Sequence, residues 1–239
     1  MSHSVNRRSN RVVGLVAAAS IILLCVGCWN PRMVHPYTYA TGRVAKPGQA
    51  ALSGQMLPGA WMGGSAGVSL GKGFALEGTY GYTGEDVFGG GFELTRSIIE
   101  AKPRYVSFTA GADWFNNNEH DYDGYRVFFG PTLSIYPGGR KLGVHIPLRA
   151  YYMDYQWGIG WNEGTTSEIS EASGVKWFGV AGVGLSFDYS RLTLQAAMNV
   201  PTVKWIDEVE IYPYIGARVS LRLGKVEKRV KPPDEFSSR

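Results

Sequence analysis

The most constraining feature of this chain is a two-residue alternation of apolar and polar side chains, sustained with few interruptions from about residue 48 to residue 223. A period of two is the signature of strands with two unlike faces, and no stretch carries the 3.6-residue period of an amphipathic helix. Ten strand segments follow, at residues 48–56, 60–70, 73–83, 90–99, 104–115, 124–136, 140–156, 174–187, 191–200 and 209–223. Composition agrees, with Gly 32, Tyr 14, Trp 7 and Phe 10 against only 18% charged residues.

The best segments separate into two faces. In 104–115, Val106, Phe108, Ala110, Ala112 and Trp114 alternate with Tyr105, Ser107, Thr109, Gly111 and Asp113. In 140–156, Leu142, Val144, Ile146 and Leu148 alternate with Gly143, His145, Pro147 and Arg149. In 209–223, Ile215, Ala217, Val219 and Leu221 oppose Tyr214, Gly216, Arg218, Ser220 and Arg222. The apolar face extends over about five alternating positions, near the 9–11 residues a tilted strand needs to cross lipid. The polar face carries the charges Glu77, Asp113, Arg126, Arg149, Lys176, Arg218 and Arg222. Aromatic residues stand where the apolar face ends: Tyr82, Trp114, Tyr125, Tyr152 and Trp177 beside long connections, and Phe187 beside a short one. Simple parity puts Arg96 on the apolar face in mid-strand, which requires a bulge or a redrawn segment.

The connections also alternate. "GK", "EAKP", "PGG" and "DYS" are short, whereas "GEDVFG", "NNNEHDYD", "GIGWNEGTTSEISEAS" and "PTVKWIDE" are longer and polar. Only the first connection, 57–59, is short where a long one is due. Short turns on one rim, long loops on the other and aromatic girdles between them resemble the small outer-membrane β-barrel proteins over residues 48–224. The resemblance implies an all-β, antiparallel up-and-down barrel of about ten strands (8–10) that spans a membrane. An even count returns both chain ends to the short-turn side. The chain departs from that family at its end, where the last strand closes on Leu223 rather than an aromatic residue and a charged tail, 225–239, follows.

Arg7, Arg8 and Arg11 precede an apolar run from Val12 to Gly27, the layout of a secretory signal. The run closes on Cys25-Val26-Gly27-Cys28, which resembles the lipobox of bacterial lipoproteins, although leucine is commoner at the place of Cys25. The resemblance implies a signal peptide over 1–27, cleavage after Gly27, acyl chains on Cys28 and an irregular, Pro-containing tether over 28–47. Trp29 in the second position favours the outer membrane over the inner. Both cysteines lie in this leader region, so a disulfide framework is excluded for the rest.

Nothing in the pattern carries catalytic chemistry. His145 belongs near a short turn and Asp113 near a long loop, so they form no acid–base pair, and no nucleophile triad, phosphate loop or zinc spacing occurs. The run around His120, with Glu119, Asp121 and Asp123, could hold calcium by composition but fits no established loop spacing and reads better as a solvated loop. No cofactor, metal or catalytic residue is expected. Net charge is +4, with the basic residues scattered along the chain, so nucleic acid is not an expected partner. The inward charges either pair and plug a narrow lumen or line a thin, anion-preferring passage. The expected protein is an outer-membrane barrel lipoprotein with outer-membrane lipid as its partner, a structural or surface-interaction role and an unidentified loop partner. The alternative is a soluble periplasmic barrel lipoprotein whose apolar face turns inward around a small hydrophobic ligand.

Overall fold

The computed structural model describes residues 47–57, 61–82, 87–117, 122–137, 141–158, 171–189, 191–202, 205–206, 209–210 and 213–224. Ten of its strands close into one antiparallel barrel. They are β1 (Ala50–Leu57), β2 (Trp61–Gly71), β3 (Phe74–Tyr82), β4 (Val87–Ala101), β5 (Arg104–Asn117), β6 (Tyr122–Ile135), β7 (Leu142–Gly158), β8 (Glu171–Asp188), β9 (Leu192–Pro201) and β12 (Tyr214–Leu223). Each pairs with its chain neighbours, and β1 closes the ring against β12, from Ala50↔Leu223 to Met56↔Ala217. The described ends, Gly48 and Gly224, therefore stand side by side at the short-turn rim, as an even count requires.

Two short pieces, β10 (Trp205–Ile206) and β11 (Val209–Glu210), form a separate hairpin in the last long connection. The sequence pattern had run the final strand back to residue 209, but pairing with β9 begins only at Tyr214↔Asn199. The tightest turn, Gly71-Lys72-Gly73, has all three residues at positive φ, which is why two of them are glycine.

The faces fall as alternation demands. Phe108, Ile146, Leu148, Val219 and Leu221 are exposed on the outside, while Ser107, Thr109, His145, Arg149, Arg218 and Ser220 are buried inside. A soluble barrel with an apolar ligand cavity would have these sets exchanged. Exposing such a belt to water costs roughly 25 cal/mol per Å² of apolar surface, a cost that lipid contact removes. The fold is a membrane-spanning barrel, whose strands pair around a closed ring with no open edge.

Arg96 does face outward. A register shift between Ser97 and Ile99 lies beyond it and so does not turn it inward. Arg96 is opposite Phe74, the first residue of β3, on one side and Phe108 on the other, so it stands beside the end of the β2–β3 hairpin, with Ile98 and Ile99 exposed between it and the β4–β5 turn. Its guanidinium lies 5.2 Å from the Phe74 ring centroid.

Candidate functional site

The candidate site is the lumen, whose side chains form three polar levels and one aromatic wall. Alternation points every second residue of ten strands at a narrow axis, so polar groups distant in sequence must meet there.

At the level of the seam, Arg218 on β12 reaches across the closure to the first three strands. Its Nη2 donates to Ser53 Oγ at 2.9 Å, Ser65 Oγ at 3.2 Å and Glu77 Oε1 at 2.5 Å, and Nε donates to Ser220 Oγ at 3.1 Å. Ser53 also donates to Ser220 Oγ at 2.9 Å. Serine and glycine on the inner face of this wall leave the room that a guanidinium and a carboxylate occupy. Glu93 stands opposite Glu77 in the β3–β4 register and interacts electrostatically with both Arg149 and Arg218. Sequence reading had passed over Glu93; the outward direction of Phe92 and Leu94 on either side was the signal.

Arg149 answers a different need. Pairing of β6 with β7 skips Gly130–Pro131 against Leu148–Arg149, and pairing of β7 with β8 skips Ile146–Pro147 against Gly182–Val183. Proline has no N–H to give the ladder, so carbonyls are left over. Arg149 Nη1 donates to the carbonyls of Gly130 (3.0 Å), Pro131 (2.8 Å) and Leu148 (3.0 Å), and Nη2 donates to Thr132 Oγ1 at 3.0 Å. The buried guanidinium supplies donors to carbonyls at the place where the β6–β7 ladder is interrupted.

Near the long-loop mouth, Arg126 Nε donates to Asp113 Oδ1 at 2.6 Å, with the guanidinium 5.4 Å from the Phe115 ring. Near the short turns, Arg222 Nη2 donates to Asp188 Oδ1 at 2.5 Å and to Thr193 Oγ1 at 2.6 Å. His145 lies between Ser134 Oγ on Nδ1 and Ser186 Oγ on Nε2, each at 2.7 Å, with the Tyr136 ring edge-on. Both ring nitrogens are committed and the residue is buried, so His145 is a structural group here. It shares no level with Asp113.

Six of the seven expected lumen charges thus face the interior: Glu77, Asp113, Arg126, Arg149, Arg218 and Arg222. Lys176 does not join them. Its side has the lumen parity, opposite Met153, but β8 pairs with β9 only from Val180↔Pro201 downward. Lys176 therefore stands above the wall that would enclose it and is exposed at the mouth. Between the two rims, the described interior holds four acidic groups (Glu77, Glu93, Asp113, Asp188) and four guanidiniums (Arg126, Arg149, Arg218, Arg222), so its formal charges are matched in number.

The aromatic wall is Phe128, Tyr151 and Phe178 on β6, β7 and β8, with ring centroids 5.4 and 5.1 Å apart. Outside the same strands, Tyr152 packs against Trp177 at 5.2 Å and Tyr125 at 6.4 Å, with Trp114 and Tyr82 exposed at the same rim. The run around His120 and Cys28 lie outside the described residues.

No protein-family model and no curated protein sequence matches the chain. Among solved structures, it is similar to Neisserial surface protein A, at 10% identity over 74% of this chain and 95% of that one, with a TM-score of 0.38. It is similar to the outer-membrane protein Ail of Yersinia pestis, at 12% identity over 74% and 99% of the two chains and a TM-score of 0.37. The translocator domain of the autotransporter NalP of Neisseria meningitidis aligns at 11% identity over 73% and 86%, with a TM-score of 0.43. The likeness is of barrel fold alone.

Proposed function

We propose that this chain is a lipid-anchored outer-membrane barrel whose interior is a structural plug and whose long-loop end is the surface for interaction. The observation that carries the reading is the pairing of an apolar outer belt with a charge-matched, hydrogen-bonded interior. An open passage would need charges that face water, whereas Arg126 and Arg149 are 2% and 4% exposed. On this reading residues 1–27 are removed, Cys28 carries the acyl chains and 28–47 form a tether. The tether would meet β1 at the rim where Gly48 and Gly224 adjoin.

Carbonate washing of membranes bearing an exportable Cys28→Ala form tests the barrel separately from its anchor. The variant is expected to stay in the membrane pellet; its release would favour the soluble, ligand-binding alternative. Palmitate labelling should be present in the wild type and absent from Cys28→Ala. In planar bilayers the purified barrel should give no conductance steps, and regular anion-selective steps would replace the plug with a passage.

A further inference from the structure

We propose that the short-turn rim is a collar that binds the phosphate headgroups of anionic phospholipids in the leaflet beside it. The proposal rests on the membrane-barrel reading and adds a lipid class to it.

Basic residues scattered in sequence are gathered by the fold. The four short turns, 72–73, 102–103, 136–141 and 189–191, contain five Lys or Arg residues and no Asp or Glu. The connections at the other end, 58–60, 83–86, 118–121, 159–170 and 202–213, contain nine acidic residues and one lysine. The barrel is electrically polarised along its axis.

Position decides the partner. Lys72, Arg96, Lys102, Arg104, Lys141 and Arg191 are all exposed, and none forms an ion pair among the described residues. The interior arginines, by contrast, are all engaged. Arg96 and Arg104 project sideways, on the same face as Leu94, Val106 and Phe108; Arg104 leaves the barrel at the β4–β5 turn, and Arg96 leaves it beside Phe74 at the end of the β2–β3 hairpin, level with Phe108. Arg96 lies over Phe74, and the Lys141 ammonium lies 4.7 Å from the Tyr189 ring, itself 4.8 Å from Phe187. An apolar stem or ring in the belt with a cation at its edge is the arrangement that meets a headgroup phosphate. A soluble anionic partner approaching along the axis would not require sideways arginines. Glu100 is the one exposed acid of this rim among the described residues, and Asp188 is taken by Arg222.

The test uses the full-length protein in vesicles of phosphatidylcholine doped with spin-labelled phosphatidylglycerol or phosphatidylcholine. The motionally restricted fraction of each label should show at least about threefold preference for phosphatidylglycerol at low salt, since each basic residue near an anionic surface contributes favourably. The preference should fall towards unity in about 0.5 M NaCl, where surface charges are screened. The combined variant K72Q/R96Q/K102Q/R104Q/K141Q/R191Q should lose it, and R96K/R104K should retain it. Should the sixfold variant fail to insert, R96Q/R104Q should reduce the preference by about half, with the salt titration as a second readout. Equal restriction of both labels in wild type, or full preference in the neutral variants, would overturn the collar. Stable insertion without preference would leave the membrane reading standing.

Discussion

The strands β5 to β8 run to 14, 14, 17 and 18 residues, whereas β12, β1, β2 and β3 have 10, 8, 11 and 9. The long wall is aromatic on both sides, with Phe128, Tyr151 and Phe178 inside and Trp114, Tyr125 and Trp177 outside. The short wall presents Ser53, Ser65 and Ser220 inward and carries the seam between the first and last strands. One side is held by ring packing between chain neighbours. The other is held by one arginine, Arg218, whose partners are 141 to 165 residues away in sequence or on its own strand. Small inner residues on the short wall are therefore space for a polar clamp, and the bulk needed to fill the lumen comes from the opposite wall.

The largest test of this contrast is Arg218→Met. It leaves the half-buried Glu77 beside Glu93 without its guanidinium partner, and urea unfolding in phospholipid vesicles should show a loss of about 3 kcal/mol. The double variant R218M/E77L should recover most of it, because the unpaired charge is gone while Arg149 still faces Glu93; no recovery would mean that the seam depends on shape rather than charge. Tyr151→Ala should cost about 3 kcal/mol through the cavity left between Phe128 and Phe178, measured in the same way. An effect below about 1 kcal/mol would show the long wall to be loosely packed.

Two glycine substitutions give the finer contrast. A Cβ on Gly111, in the long wall, would stand 2.4 Å from the Phe92 carbonyl and 2.5 Å from the Phe128 ring. Gly111→Ala should therefore cost about 1–3 kcal/mol by overpacking. Gly67, on the inner face of the short wall opposite Glu77, would meet nothing closer than the Leu76 carbonyl oxygen at 3.4 Å. Gly67→Ala should stay within about 0.5 kcal/mol of wild type in the same unfolding assay. Equal costs at the two sites would erase the distinction between the walls.

Much of the barrel was legible because period-two alternation is a local property. Tyr105 to Trp114 and Leu142 to Arg149 each state in sequence which side chains share a face, and the structure keeps those assignments. Where the pattern was locally blurred, reading failed. The irregularity between Ser97 and Ile99 blurs the alternation at the turn end of β4, and Glu93, which alternates regularly between Phe92 and Leu94, was passed over. Lys176 has the parity of a lumen residue, but parity says nothing of how far a neighbouring strand extends. The β10–β11 hairpin escaped notice because two-residue strands carry no periodic signal.

The sequence by itself determined that ten two-faced strands would be joined by alternating short and long connections, with both ends on one rim. Side-chain direction in a strand follows from backbone geometry at each residue, so neighbours suffice to fix it. Only the tertiary structure decided who meets whom across the axis: Arg218 with Glu77, Arg149 with the carbonyls beside Pro131, and Arg96 with Phe74. Those meetings depend on register, stagger and closure, which are set by every strand together and written in no single one.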